Sequence, residues 1–270
     1  MGGGGGSYSV LDRVALVTGG AGGLGRGFCR ALAGAGADVA VFDLDGTAAG
    51  ETAAGVRALG RVGLGLEGDV GDPDDIARAV DAALARFGRL DILVCNAGIS
   101  PRPARVADAS IDDWDRVMAV DVRGVFLSAR ACLPHMVARG SGSIVTIASV
   151  LGVRPLPTPG GEAPNFPYGV AKAAVIRLTK EIAADYARDG VRANCIAPGW
   201  HRGTGLSARW AGGAEPVAAR HAYEQGILRM TPMGRRGEPE ELHGLLLYLA
   251  SEASSFMTGQ VLVSDGGVCL

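Results

Sequence analysis

The sequence predicts an α/β fold, with one doubly wound parallel sheet of about seven strands and helices on both of its faces. Three observations predict it. Short apolar runs alternate with helical patterns, the runs at residues 15–17 and 92–94 are continuously apolar, and no shift in composition divides the 270 residues. Alternating strands and helices form βαβ units, and continuously apolar strands suit a sheet covered on both faces. We expect a flexible Gly-rich tail over residues 1–8 and a single domain over residues 9–270.

The predicted strands span residues 14–18, 38–42, 61–66, 92–95, 143–148, 192–196 and 260–263. The predicted helices span residues 25–35, 47–59, 73–87, 111–139, 168–189 and 239–250. Proline at positions 73 and 239 suits a first helical turn, and glycine follows several of the helix ends. Two segments break the alternation and are predicted as substrate loops, one over residues 151–167 with five prolines and one over residues 200–236. The side chains expected to line this second loop as a lid are His201, Arg202, Trp210, His221 and Tyr223.

Composition excludes several classes of partner. The net charge of −2 argues against nucleic acid or an anionic membrane as the main partner. No apolar run approaches the ~18 residues of a membrane span. The five cysteines form no CxxC pair, and no His/Cys/Asp cluster has the spacing of metal ligands. We therefore expect reduced thiols, a cytoplasmic location and no metal.

A glycine-rich turn connects the first strand to the first helix. Gly20, Gly22 and Gly25 fit the pattern GxGxxG, and Asp43 ends the second strand 21 residues beyond Gly22. Residues without a Cβ let the backbone approach a pyrophosphate at the positive N-terminus of a helix. A carboxylate at this place binds both ribose hydroxyls and repels a 2′-phosphate. No Arg or Lys lies within the turn or immediately after Asp43, so the pattern predicts a Rossmann-type site for NAD rather than NADP.

The same turn also reads TGxxxGxG, with Thr18, Gly19, Gly23 and Gly25 as its fixed positions. Here the sequence resembles the short-chain dehydrogenase/reductase family from about residue 10 to residue 267. The further motifs follow in the family's order: Gly68-Asp69-Val70, Asn96-Ala97-Gly98, YxxxK at Tyr168 and Lys172, Asn194 to Gly199, Thr258-Gly259-Gln260 and Asp265-Gly266-Gly267. The resemblance implies these cofactor contacts: Gly19, Gly22, Gly23, Leu24, Gly25, Asp43, Leu44, Asp69, Val70, Asn96, Ala97, Gly98, Tyr168, Lys172, Pro198, Gly199, Trp200 and Thr204.

The expected catalytic residues are Tyr168, Lys172, Ser149 and Asp121. Tyr168 and Lys172 are four residues apart on one helix face, so they are neighbours. A tyrosine, with a pKa near 10, is a poor base at neutral pH unless a nearby ammonium and an oxidised nicotinamide favour the phenolate. Ser149, at the end of the fifth strand, is expected to hold the substrate oxygen beside Tyr168. As in the family, Lys172 is also expected to hold the nicotinamide ribose.

Two features depart from the family. Asp121 stands where the family has an Asn whose main-chain carbonyl orders a water near the Lys. We expect the proton relay to survive with a different pH profile, and a purely structural role for Asp121 stays open. In addition, Ser149 and Tyr168 are 19 residues apart, a longer separation than is usual, and the surplus is the proline-rich loop.

The expected function is an NAD(H)-dependent oxidoreductase that interconverts a secondary alcohol and a ketone. Two alternatives stay open: an epimerase or dehydratase that keeps NAD bound, and a catalytically silent NAD-binding scaffold. The substrate stays open among 3-oxoacyl thioesters, sugars or polyols, steroids and cyclic alcohols. The lid offers no clear basic cluster, which favours a neutral small molecule. Long helices at 111–139 and 168–189 and the strand at 260–263 predict a homotetramer, by analogy with the family.

Overall fold

The computed structural model describes residues 8–101, 103–161, 165–204 and 217–270. One sheet of seven parallel strands lies at its centre, in the order β3-β2-β1-β4-β5-β6-β7. The predicted fold class is therefore confirmed, and each predicted strand is present with its ends moved by at most two residues. The strands are β1 (Val14–Thr18), β2 (Asp38–Asp43), β3 (Gly63–Glu67), β4 (Ile92–Cys95), β5 (Gly142–Ile147), β6 (Val191–Pro198) and β7 (Val261–Ser264).

Helices cover both faces of this sheet. They are α1 (Gly23–Gly34), α2 (Gly46–Ala58), α3 (Pro73–Phe87), α4 (Ile111–Val117), α5 (Gly124–Arg139), α6 (Val150–Val153), α7 (Phe166–Tyr186), α8 (Val217–Met230) and α9 (His243–Ala250). Side chains of β1 alternate between the faces, since Leu16 joins a core with α3, α5 and α7, whereas Val17 joins a second core with α1, α2 and α9. Residues 1–7 of the predicted tail lie outside the described residues, and the ring of Tyr8 packs edge-on against Tyr248.

The helix predicted over residues 111–139 has a π-helical segment at Met118–Arg123, between α4 and α5. π-helical turns are rare, so a helical pattern predicts a continuous α-helix here. Asp121 lies in this wider turn, where its side chain is fully buried. Such turns occur frequently at functional sites.

Both predicted loops contain helices. Residues 151–167 overlap the short helix α6 and the start of α7, and the segment predicted as a lid loop contains α8. Gly226 in α8 permits a close approach, because a Cβ there would lie 2.8 Å from the Cα of Pro159. The proline-rich segment and α8 therefore pack directly against each other. Trp210 lies outside the described residues.

The strand order creates a crevice at the carboxyl edge of the sheet. β1 pairs with β2 on one side and with β4 on the other, so the connections that follow β1 and β3 run to opposite sides of β1. Ligands of doubly wound sheets bind at such a switch point. Among the helices that the structure describes, none has both the length and the apolar character needed to cross a membrane.

Candidate active site

A cavity of about 760 Å³ opens at this crevice. The glycine turn after β1 forms one end of the cavity, and Ser149, Tyr168 and Lys172 line the other. The carboxyl ends of β1, β4, β5 and β6 bring these residues together although they lie far apart in the sequence. One cavity therefore contains both the predicted dinucleotide site and the predicted catalytic residues.

The glycine turn is shaped for close backbone approach. Gly19 has a φ of +62°, and a Cβ there would lie 2.7 Å from the Cα of Ala97. Gly22, by contrast, has open space where its Cβ would point, and it lines the cavity. It is also the N-cap of α1, and no side chain caps its first turn. The uncapped N–H groups beside open space fit a pyrophosphate.

The loop after β4 holds the glycine turn in place. The Nδ2 of Asn96 donates to the carbonyl of Gly19 at 2.8 Å, and the backbone N–H of Asn96 donates to the Oγ1 of Thr18 at 3.2 Å. A Cβ at Gly25 would lie 2.6 Å from the Nδ2 of Asn96, so only glycine fits there. Gly25 thus supports the turn from behind and does not line the cavity.

Asp43 lies at the end of β2 and lines the cavity beside the turn. Its Oδ2 accepts from the backbone N–H of Ala21 at 2.9 Å, and its Oδ1 accepts from the N–H of Asp45 at 3.2 Å. These bonds hold the carboxylate where a ribose diol would lie. Arg26, one residue beyond the turn, was not considered in the sequence analysis, and its Nε donates to the carbonyl of Ala21 at 2.9 Å.

The end of the cavity that holds the predicted catalytic residues is called the catalytic end below. Ser149 and Tyr168 lie there on facing elements. Ser149 follows β5 as the N-cap of α6, and Tyr168 lies in the first turn of α7. Both side chains are buried. Glycine at position 152 lets α6 pack closely against α7, since a Cβ there would lie 2.5 Å from the backbone of Lys172. The pKa of Tyr168 lies above its usual value. Burial raises it most and the charge of Asp121 raises it further, while the charge of Lys172 lowers it.

Lys172 is buried one turn beyond Tyr168. Its Nζ donates to the carbonyl of Ile147 at 3.1 Å, lies 3.0 Å from the Oδ2 of Asp121, and is 5.4 Å from the ring centre of Tyr168. Burial alone would lower the pKa of Lys172, but the charges of Asp121 and Tyr168 outweigh it and raise the pKa above its usual value. The side chain is therefore an ammonium.

Asp121 lies behind this ammonium and is fully buried. Its Oδ1 accepts from the backbone N–H of Ile99 at 2.8 Å, and its Oδ2 faces Lys172. It does not line the cavity itself. A carboxylate at this position therefore anchors the loop after β4 and pairs with Lys172 at the same time.

The segment after β6 forms a further wall of the cavity. The N–H of Gly199 donates to the carbonyl of Ser264 at 2.8 Å, which ties this segment to β7. The predicted cofactor residues lining the cavity are, besides those above, Gly23, Leu24, Leu44, Asp69, Val70, Gly98, Pro198, Trp200 and Thr204.

The predicted lid residues separate into two groups. His201 and Tyr223 line the cavity, whereas Arg202 and His221 are exposed. Burial lowers the pKa of His201, so its ring is neutral at pH 7. Four polar or charged residues that no local pattern in the sequence marks also line the cavity: Ser100, Arg116, Asn165 and Arg236. Within the described ranges, no group of three or more His, Cys, Asp or Glu side chains is arranged to hold a metal ion.

Comparison with known proteins agrees with this geometry. A family model described as enoyl-(acyl carrier protein) reductase matches residues 19–269. The chain is 39% identical over 259 residues to cis-4-hydroxycyclohexanecarboxylate dehydrogenase of Sinomonas cyclohexanicum, covering 96% of this chain and 97% of that protein. It is 37% identical over 264 residues to 2-(S)-hydroxypropyl-CoM dehydrogenase 3 of Xanthobacter autotrophicus, with coverages of 97% and 98%.

A solved structure is also similar to this chain. Gluconate 5-dehydrogenase from Burkholderia cenocepacia, in complex with NADP and tartrate, has a TM-score of 0.87 and is 37% identical, with 97% of each chain covered. Fold and site together define a dinucleotide-binding α/β oxidoreductase that acts on CH–OH groups. The chain belongs to the short-chain dehydrogenase/reductase family. Its chemistry is the interconversion of a secondary alcohol and a ketone.

Proposed function

We propose that the protein is an NAD(H)-dependent dehydrogenase in which Tyr168 is the acid–base group. One observation carries the proposal: the buried Ser149, Tyr168 and Lys172 share a cavity with the uncapped first turn of α1 at Gly22. A silent scaffold has no need of this catalytic set. An epimerase or dehydratase of the usual longer kind has a larger substrate region than this chain, which aligns with dehydrogenases over nearly their whole length.

The roles of the residues follow from their positions. A bound nicotinamide supplies the hydride acceptor when the alcohol is oxidised. The hydroxyl of Ser149 holds the substrate oxygen, and the phenolate of Tyr168 takes the proton from that oxygen as the C–H hydrogen leaves as hydride. The ammonium of Lys172 stabilises the phenolate and binds the nicotinamide ribose. In the reverse direction, Tyr168 returns the proton to the oxygen of the ketone.

For the cofactor, we propose a preference for NAD over NADP. The carboxylate of Asp43 is held beside the glycine turn by the N–H of Ala21, and its charge opposes a 2′-phosphate. The guanidinium of Arg26 bonds the carbonyl of Ala21 and approaches Glu51 at 3.7 Å, so a second carboxylate offsets part of its charge. The Burkholderia relative was solved with NADP, so both cofactors belong in the test.

The test is a substrate screen. Purified protein is given a panel of secondary alcohols and hydroxy acids with NAD or with NADP, and formation of the reduced cofactor and the ketone is measured. We expect turnover with NAD at a higher kcat/KM than with NADP. The hydroxy acids are included because one relative is named for a cyclohexanecarboxylate and the solved relative holds tartrate. No turnover of any alcohol with either cofactor would contradict the proposal.

We also propose a homotetramer in the cytoplasm. Phe126 on α5 and Val170 on α7 are large apolar side chains that stay exposed in the single chain, as does Val263 on β7. These are the elements that pair across two-fold axes in the family. The five cysteines carry free thiols, four of them buried, which suits a reducing compartment.

A further inference from the structure

Charged side chains are unevenly distributed along the cavity. Among the described residues that line it, the carboxylates Asp43, Asp45 and Asp69 lie at the end beside β2 and β3. Lys172, Arg116 and Arg236 also line the cavity, and each has a carboxylate partner, Asp121, Asp113 and Glu224 respectively. None of these three carboxylates lines the cavity itself, so the positive group of each pair is the one that faces it.

The backbone around Gly237 brings Arg236 to the cavity. The N–H of Gly237 donates to the carbonyl of Trp200 at 3.0 Å, and the N–H of Arg202 donates to the carbonyl of Gly237 at 2.8 Å. Trp200 itself follows β6, the strand beside β5, from which Ser149 extends. These bonds fix the backbone beside Arg236 to the segment that follows β6.

The guanidinium of Arg236 is only partly neutralised. Its side chain is 13% exposed, and its Nη1 lies 3.4 Å from the Oε2 of Glu224. That carboxylate is shared, because Arg202 approaches its other oxygen at 3.9 Å. The Nε of Arg236 is buried and has no hydrogen-bond partner. A buried N–H of a charged group without an acceptor is costly, so the protein partners of Arg236 leave part of the guanidinium's donor capacity unused.

Asn165 leaves a second polar group unsatisfied on the same wall. Its Nδ2 donates to the Oγ of Ser100 at 2.7 Å, but its Oδ1 is buried without a partner. Whichever way the two ends of the amide are assigned, one of them lacks a partner. Asn165 lies three residues before Tyr168 and is among the residues that line the cavity.

We propose that the substrate is a hydroxy acid, whose carboxylate binds Arg236 while its reacting hydroxyl lies between Ser149 and Tyr168. This rests on the proposed function and names its substrate class. It also replaces the expectation of a neutral substrate, because Arg236 contributes a positive charge that no basic cluster in the sequence reveals. Arginine suits the role because its planar fork binds both oxygens of a carboxylate.

The experiment compares matched acids and amides. Turnover is measured for secondary alcohols that carry either a carboxylate or the corresponding amide, beginning with 4-hydroxycyclohexanecarboxylate and its amide. Binding of cyclohexanecarboxylate and cyclohexanecarboxamide to the protein with NAD is measured by calorimetry. We expect the wild type to prefer the charged member in both assays. In Arg236→Met the preference falls by roughly 10- to 100-fold, the range for hydrogen bonds to charged groups.

Two further variants separate binding from structure. Arg235→Met removes a neighbouring guanidinium that pairs with Glu241 and does not line the cavity, so the acid preference stays as in the wild type. Glu224→Gln removes the carboxylate that competes for Arg236, so the KM for the acid falls. A loss in Arg236→Met that is equal for acid and amide would mean that Arg236 only supports the wall, and would overturn the inference.

The outcomes also distinguish this inference from the function on which it rests. If the wild type oxidises neutral alcohols as well as hydroxy acids, and binds cyclohexanecarboxylate no better than its amide, the inference is wrong and the proposed function stands. If no alcohol is turned over with either cofactor, the proposed function is wrong. Carboxylate binding that depends on Arg236 would still support the anion site in that case.

Discussion

The Nζ of Lys172 lies 3.0 Å from the Oδ2 of Asp121, and both side chains are buried. The ammonium that lowers the pKa of Tyr168 is therefore partly neutralised by a carboxylate. That carboxylate also raises the pKa of Tyr168 directly, in addition to the effect of burial. The pKa of Tyr168 is thus higher than it would be beside Lys172 without Asp121.

The first prediction concerns pH. The rate of alcohol oxidation rises with pH as Tyr168 becomes a phenolate. Asp121→Asn removes a charge that raises the pKa of Tyr168 but keeps an acceptor for the N–H of Ile99, so the rising limb moves to lower pH. The measurement is kcat/KM for one alcohol against pH in both proteins. An unchanged or alkaline-shifted limb would show that Asp121 does not influence the acid–base group.

The second prediction concerns stability. Lys172→Met leaves the carboxylate of Asp121 buried without its cation, which costs about 3–5 kcal/mol in the free energy of unfolding. The double variant Lys172→Met/Asp121→Asn removes that charge as well and recovers part of the loss. Denaturant unfolding of the single and double variants measures both effects. A double variant no more stable than Lys172→Met would contradict the buried ion pair.

The sequence predicts the fold well because its signals are local. Continuously apolar runs mark the central strands, and the glycine turn identifies the phosphate end of the cavity. Residues 200–236 were predicted as a loop, yet they contain α8, in which Gly226 makes a close contact with Pro159 from a distant segment. Arg236 was not predicted as a site residue, because the bond between Gly237 and Trp200 that brings its segment to the cavity joins residues far apart in the chain.

Asp121 shows where prediction of the site ends. The family pattern places it near Lys172, but the pattern does not say that its carboxylate faces the ammonium. Asp121 lies in a π-helical turn, which the predicted continuous helix did not include. The arrangement of charges around Tyr168 therefore could not be predicted from the sequence.

A third prediction tests the acid–base group. Tyr168→Phe removes one hydroxyl, so the fold and the affinity for NAD stay unchanged. A positioned acid–base group contributes roughly 10²–10⁴-fold, and kcat falls by at least that much because no other side chain takes its place. Tyr186→Phe, at the far end of the same helix, is the control and keeps full activity. Retention of most turnover by Tyr168→Phe would refute the mechanism.

A fourth prediction tests cofactor choice. Asp43→Ala removes the carboxylate beside the ribose, and the preference for NAD over NADP falls roughly tenfold or more, since a charge-assisted hydrogen bond contributes about 1.5–3 kcal/mol. Asp43→Asn keeps an acceptor for the N–H of Ala21 and separates loss of charge from disturbance of the turn. Calorimetry with both cofactors gives the affinities. Tighter binding of NADP by the wild type would sink the idea.

The fifth prediction concerns assembly. Light scattering at micromolar concentration gives the mass of a tetramer for the wild type. Phe126→Glu places a charge on the exposed apolar face of α5 and yields a smaller species. His135→Glu, farther along the same helix, checks whether any added charge has this effect. A monomer mass for the wild type would refute the proposed assembly.

The contact between Gly226 and Pro159 joins two segments that each contribute a residue to the cavity wall, Asn165 after Pro159 and Tyr223 on the helix of Gly226. The first segment precedes Tyr168, and the second is a helix some sixty residues later. Larger side chains at position 226 would force the two apart. The two segments therefore have to match each other. In a chimera of two related enzymes, we expect exchange of one segment alone to disturb this contact, and exchange of both together to preserve it.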